Sequence, residues 1–252
     1  MSTIGEKTMM RVLAATLLAF CLVGVGLGTS RADLYGDPNA PIAGKVLGTV
    51  IHTDDPEELR YVILRELTDR YASDKGIAVT KAERDVYVKH LQRSMEQDRQ
   101  RQEARRDELT RRLQGSGLPE SERASLASEL ETLNGLLATL DDMGGEAAED
   151  PAETAAARDQ VADAFIRQWK INRALYQEYG GRIIFQQGGP EPLDAYRRFL
   201  EERQARGDFE ILDADLETRF WRYYIDDGIH SFYPTDSAEE AEVLRVPWWL
   251  SE

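Results

Sequence analysis

The spacing of apolar residues changes repeatedly along this chain, and each change marks the edge of an element. Val46, Val50 and Ile51 flank Gly48 as two short strand-like pieces around a turn. Thr53-Asp54-Asp55-Pro56-Glu57-Glu58 then supplies a helix start, with proline in the first turn and early acids facing the positive end of the helix dipole. Leu59, Val62, Ile63, Leu67 and Tyr71 follow at helical spacing, so they form one stripe that has to be buried. Gly76 stops that helix, and Thr80 with Glu83 has the spacing of a capping box for the next, whose apolar face carries Ala82, Val86, Val88 and Leu91.

From Glu96 to Arg112 the chain is almost continuous Arg, Gln, Glu and Asp, which predicts a helix polar nearly all round. Gly115-Ser116-Gly117-Leu118-Pro119 is a turn. Beyond it Leu126, Leu130, Leu133, Leu137 and Leu140 recur at alternating steps of four and three, a heptad seam of the kind found in a coiled coil. The stretch from about Ala82 to Leu140 is therefore read as a helical hairpin. Its first arm has no continuous matching seam, so the leucines are a candidate interface for that arm, for a partner helix or for a second copy of the chain.

Gly144 to Pro151 has linker composition, and a strong helix follows it. Val161, Phe165, Trp169, Tyr176 and Tyr179 lie near one face of this helix, widened by Ile166, Ile171 and Leu175. Gly180-Gly181 ends it, and Arg182 to Gln187 reads as a short strand. Next come a helix bearing Leu193, Tyr196, Phe199 and Leu200, closed by Gly207, and a short aromatic helix from Leu216 to Ile225. The fold class is mainly α, a multi-helix domain with a short β-hairpin and a projecting helical hairpin. The expected divisions are an extended arm at 33–44, a helical module at 45–95, the charged hairpin as an insertion at 96–143, a linker at 144–152, and an aromatic-rich helical region at 153–252 that completes the domain.

Residues 1–32 have the form of an export signal, with Lys7 and Arg11 before an apolar run from Val12 to Gly28 and a small-residue exit at Ser30-Arg31-Ala32. Cleavage after Ala32 places the protein in the periplasm; the alternative is an uncleaved anchor in the inner membrane, which is then the chain's one route to a membrane. Cys21 is the single cysteine and leaves with the signal, so no disulfide is expected. The formal net charge of −15 becomes −17 without the signal, which weighs against nucleic acid and anionic lipid as partners.

Chemistry is sparse. No nucleophile elbow, phosphate loop or dinucleotide fingerprint is present, so neither a cofactor nor a catalytic residue is expected. His52, His90 and His230 are far apart, and Asp226-Asp227 with His230 is better read as the capped end of the aromatic helix than as a metal site. The remaining signal is the aromatic density after residue 165. Most of these rings should build core, while Trp169, Tyr176, Phe220, Trp221, Trp248 and Trp249 are the candidates for an apolar cradle around extended polypeptide. The alternative for Trp248 and Trp249 is a tail that docks across the domain and seals it.

The pattern Val46-x-Gly48-x-x-Ile51, then acids, an apolar helix, Gly76-Ile77-x-Val79-Thr80 and an acid-bearing helix resembles the amino-terminal domain of SurA-type periplasmic chaperones, over roughly Lys45 to Leu91. Trigger-factor-like chaperone domains are similar in architecture. The resemblance implies a helical module with a small strand pair, completed by a helix from later in the chain, here Val161 to Tyr179. It implies ATP-independent binding of unfolded or extended exported polypeptides. No parvulin-type isomerase module is recognisable, so isomerase activity is not implied, and no single functional residue carries over. A structural adaptor using the hairpin as a coiled-coil interface is the alternative function, and a hydrolase with an unrecognised carboxylate site is the third.

Overall fold

A computed structural model describes residues 36–144, 151–186 and 188–250. The expected export signal and the centre of the expected linker lie outside these residues. The architecture is mainly α with small antiparallel sheets. The strands are β1 (Ile42–Val46), β2 (Thr49–His52), β3 (Ile184–Gln186), β4 (Gly189–Glu191) and β5 (Phe209–Ile211). The helices are α1 (Pro56–Asp74), α2 (Lys81–Gln114), α3 (Glu120–Gly144), α4 (Pro151–Tyr179), α5 (Leu193–Ala205), α6 (Ala214–Ile225) and α7 (Ala238–Val243). Two compact units result: a mixed unit of residues 36–83 and 163–250, and a hairpin unit of residues 84–144 and 151–162.

The mixed unit is organised around α1. Asp55 caps this helix by accepting from the Glu57 amide at 2.9 Å, and Pro56 fills the first turn where no amide partner is needed. At the other end Gly76 takes a positive φ of 65°, so that Ile77 N–H reaches the Ala72 carbonyl at 2.8 Å and Gly76 N–H reaches Ser73 at 3.1 Å. This is the paired closure that a left-handed residue after a helix allows. Between these caps Leu59, Val62, Ile63, Leu67 and Tyr71 are buried together with Ile171 and Leu175 of α4, Phe199 and Leu200 of α5 and Phe220 and Tyr224 of α6. Burial of these faces against one another, rather than helix propensity, is what stabilises the unit.

The three-stranded sheet has the order β2-β1-β5, all antiparallel. Leu47 and Gly48 form a two-residue turn with both φ values positive, 48° and 85°, the geometry whose twist matches paired strands. The expected arm at 33–44 is not free of structure: β1 starts at Ile42, the Pro41 carbonyl accepts from Thr53 N–H at 3.1 Å, and the Ala40 carbonyl accepts from the His52 ring at 3.0 Å. Glycine and proline in that stretch mask a central strand whose stability comes from its two neighbours. Strands β4 and β5 were not legible either. Each has three residues, and β4 holds Pro190, which lacks the N–H that marks an interior strand.

In the hairpin unit α2 runs unbroken through residue 95, so the expected boundary there is displaced to residue 84. The Thr80–Glu83 capping box forms, with Thr80 N–H donating to Glu83 at 2.8 Å and Glu83 N–H to the Thr80 hydroxyl at 3.3 Å. Leu109 of α2 is fully buried in one cluster with Leu126, Leu133 and Leu137 of α3; Leu113, Leu118, Leu130 and Leu136 pack around it, and Leu140 is half-buried. The leucine seam is thus covered within the hairpin, by the part of the first arm nearest the turn. Arg105–Glu129 and Arg112–Glu122, both 2.7 Å, cross between the arms at exposed positions where an ion pair contributes no more than about 1 kcal/mol.

Candidate binding cleft

A cleft of about 720 Å³ opens within the mixed unit, lined from α1 by Glu57, Arg60, Tyr61, Leu64 and Arg65 and from the later half of the unit by Arg167, Gln168, Glu191, Tyr196 and Tyr223, among others. None of these residues stood out in the sequence as a site. Tyr61 could have: it falls off the apolar stripe of α1, and its ring is 61% exposed, which core packing does not explain.

The floor of the cleft is fixed by a polar network. Asn172 is buried on α4; its Oδ1 accepts from Gln168 Nε2 at 2.8 Å and from the Tyr196 hydroxyl at 2.7 Å, and its Nδ2 donates to the Pro190 carbonyl at 2.8 Å. This ties β4 to α4 and α5 and sets the part-buried Glu191, next to Pro190, against α6. There the Tyr223 hydroxyl lies 3.1 Å from each Glu191 oxygen and accepts from Gln186 Nε2 at 2.9 Å. The Tyr223 ring carries Arg60 on its face, with the guanidinium carbon 3.9 Å from the centroid, a cation–π placement. His230 Nε2 donates to the Tyr223 carbonyl at 2.6 Å, which fixes this end of α6.

Position at the cleft edge also depends on the bend after α4. Gly181 has φ 100°, and a Cβ there would stand 2.4 Å from the Cβ of Asp194, so the chain turns as it does only with glycine in place. Arg182 then clamps two elements, donating to both Asp194 oxygens at 2.9 and 3.0 Å and to both Asp227 oxygens at 2.7 and 3.0 Å. Burial raises the Asp194 carboxyl, but the Arg182 side chain and N–H outweigh it and hold the group below the usual carboxylate range.

Glu191 is displaced the other way. Burial pushes its pKa up, opposed by the Tyr223 hydrogen bond and by the positive field of Arg60. The native state therefore holds the proton more tightly than the unfolded chain, and stability is lost as pH rises from the ordinary glutamate range through the raised native value. Glu191→Gln, which keeps an acceptor for Tyr223 and removes the charge, should consequently gain stability relative to the parent at pH 8 and show no such gain at pH 4. Parallel denaturant titrations at the two pH values measure this, and an equal difference at both would mean that Glu191 is not held in a charge-disfavouring site.

The six candidate aromatics are not the lining of this cleft. Phe220 is 1% exposed at the centre of the core, between Phe209 and Tyr224 at 5.8 Å each. Trp169 and Trp249 are buried edge-to-face at 5.8 Å, and Trp248 stands edge-to-face on Trp249 at 5.4 Å. Tyr176 and Trp221 are half-buried, which leaves Trp248, at 38%, as the exposed member of the set. The tail docks on α4 through Trp249, and Trp169, Phe220 and Trp249 serve as packing, each removing a large apolar area from water.

The Asp226-Asp227-His230 cluster is also occupied by structure. Asp226 accepts from Gly228 N–H at 3.1 Å, Asp227 is bound to Arg182, and His230 is bound to the Tyr223 carbonyl. Among the described residues no three His, Cys, Asp or Glu side chains group as a metal would require, and no helix is long and apolar enough to cross a membrane. Comparison of the chain with protein-family models, curated proteins and solved structures finds no match.

Proposed function

We propose that the protein binds extended segments of unfolded exported polypeptides, as an ATP-independent chaperone-like factor of the periplasm without isomerase activity. The observation that carries this reading is the composition of the cleft wall. Tyr61 and Leu64 offer apolar surface, while Arg60 and Arg65 place guanidinium donors beside it. An extended chain presents the complementary pair, apolar side chains alternating with backbone carbonyls. The order of elements adds support, because a strand pair and α1 are completed by α4 from much later in the chain, as the resemblance to SurA-type modules implies. The adaptor reading has less in its favour, since Leu126, Leu133 and Leu137 are already covered inside the hairpin.

Purified protein is expected to suppress aggregation of a denatured outer-membrane protein without nucleotide and to show no turnover of a short proline peptide. Tyr61→Ala should weaken suppression severalfold while changing stability by no more than about 0.5 kcal/mol, because the ring is largely in solvent. Light scattering during dilution of the client from urea reads the first, and chemical denaturation the second. A parent protein that leaves the client aggregating at its unassisted rate would remove the reading, and full suppression by the variant would move the binding surface out of the cleft.

A further inference from the structure

The geometry points to Glu191 as the acceptor for a cationic group, an ammonium or guanidinium, that enters the cleft. On the function proposed above, which this form of the inference rests on, that group is the lysine or arginine side chain of a bound polypeptide.

The argument starts from how charge is distributed around the cleft. Arg60 is paired with Glu57, Arg65 with Glu66 at 2.7 Å, and Arg167 with Asp69 at 2.5 Å. Glu191 is in a different position: its hydrogen-bond donor among the described residues is the Tyr223 hydroxyl alone. A carboxylate offers about four acceptor positions, and one hydroxyl proton does not fill them. The neighbouring groups are committed elsewhere. Arg60 lies flat on the Tyr223 ring with its guanidinium turned to Glu57, the Tyr196 hydroxyl donates to Asn172, and His230 donates to the Tyr223 carbonyl. The Tyr224 hydroxyl, also in the electrostatic reach of Glu191, is buried without a partner among the described residues.

An incoming cation would meet three complementary features. The carboxylate supplies a charge-assisted hydrogen bond, stronger than a neutral one. The exposed Tyr61 ring adds π-surface on the cleft wall of a kind that already holds a guanidinium, Arg65 at 5.7 Å from its centroid. The net charge of −15 draws cations toward the surface from solution. A free carboxylate-bearing ligand would find the opposite, with each lining arginine already neutralised by its own acid.

Four peptides of one extended apolar sequence, differing at a central Lys, Arg, Gln or norleucine, test this by calorimetric titration into the purified protein. The Lys and Arg forms are expected to bind about tenfold more tightly than the other two, the worth of one charge-assisted hydrogen bond in a partly desolvated site. Glu191→Gln should reduce that preference to less than about twofold and leave the Gln peptide unaffected. A second arm needs no variant: the side-chain carboxyl resonance of Glu191 in the parent protein, followed by carbon NMR, should shift on addition of arginine amide. Equal binding of all four peptides with an unmoved resonance overturns the inference and leaves the polypeptide reading standing. No peptide binding together with a shifted resonance removes the polypeptide reading and keeps the cation site. A preference for Lys and Arg that survives in Glu191→Gln overturns the assignment of the acceptor.

Discussion

Phe199→Ala is expected to destabilise the mixed unit by about 3–5 kcal/mol, a large share of the stability of an ordinary domain. The side chain is fully buried, with Tyr71 edge-on at 5.4 Å, Tyr179 at 6.2 Å and the Arg203 guanidinium over its ring at 4.9 Å. Tyr71 and Tyr179 are themselves pinned by hydrogen bonds to Glu178 and Glu202, at 2.9 and 2.8 Å, so they cannot swing in to fill the space. The cost should therefore include most of the cavity term as well as lost burial. Urea denaturation followed by tryptophan fluorescence measures it, and Phe199→Leu should recover more than half of the loss because it restores much of the volume. A loss under about 1 kcal/mol for the alanine variant would show that α1, α4 and α5 do not meet at this ring.

Leu133→Asp should have a comparable effect on the other unit, about 3 kcal/mol or more, since it removes a buried side chain and puts a carboxylate among Leu109, Leu126 and Leu137. All four tryptophans lie in the mixed unit, so a fall in helical signal without a change in tryptophan emission identifies unfolding confined to the hairpin. Sedimentation gives an independent reading. A seam buried within one chain leaves the mass of the parent and the variant equal, whereas a variant that stays folded but halves in mass would place the leucines between two copies.

The parts of this fold that could be read from sequence are those with enough length for periodicity to accumulate. The stripe of α1, its proline start and glycine stop, the Thr80–Glu83 cap and the leucine register of α3 all carry a local physical signature. Strands β4 and β5 do not, because three residues give one alternation at most and the pairing that stabilises them is remote in sequence. The cleft was illegible for a related reason. Its acid, Glu191, sits between two prolines in a chain with 46 acidic residues, and nothing local separates it from the rest. What distinguishes it is the company of Tyr223, Arg60 and the Asn172 network, all supplied by tertiary structure. The aromatics divide in a way the sequence does not show: Trp169, Phe220 and Trp249 fill core, Tyr176 and Trp221 are half-buried, and Trp248 is exposed.

The division of the mixed unit between residues 36–83 and 163–250 also sets the order in which it can assemble. The first part leaves the ribosome about 80 residues ahead of the second, a delay of roughly 4–16 s at ordinary rates of synthesis. Throughout that interval the stripe of α1 has only the strand pair to pack on, because Ile171, Leu175, Phe199 and Phe220 do not yet exist. The hairpin between them makes its contacts locally and can form early, while closure of the mixed unit brings together segments far apart along the chain and is slow for that reason. The nascent chain thus keeps much of the apolar stripe of α1 uncommitted until most of the second segment has been made, so a chain cut short before Phe220 carries part of that surface with nothing to cover it.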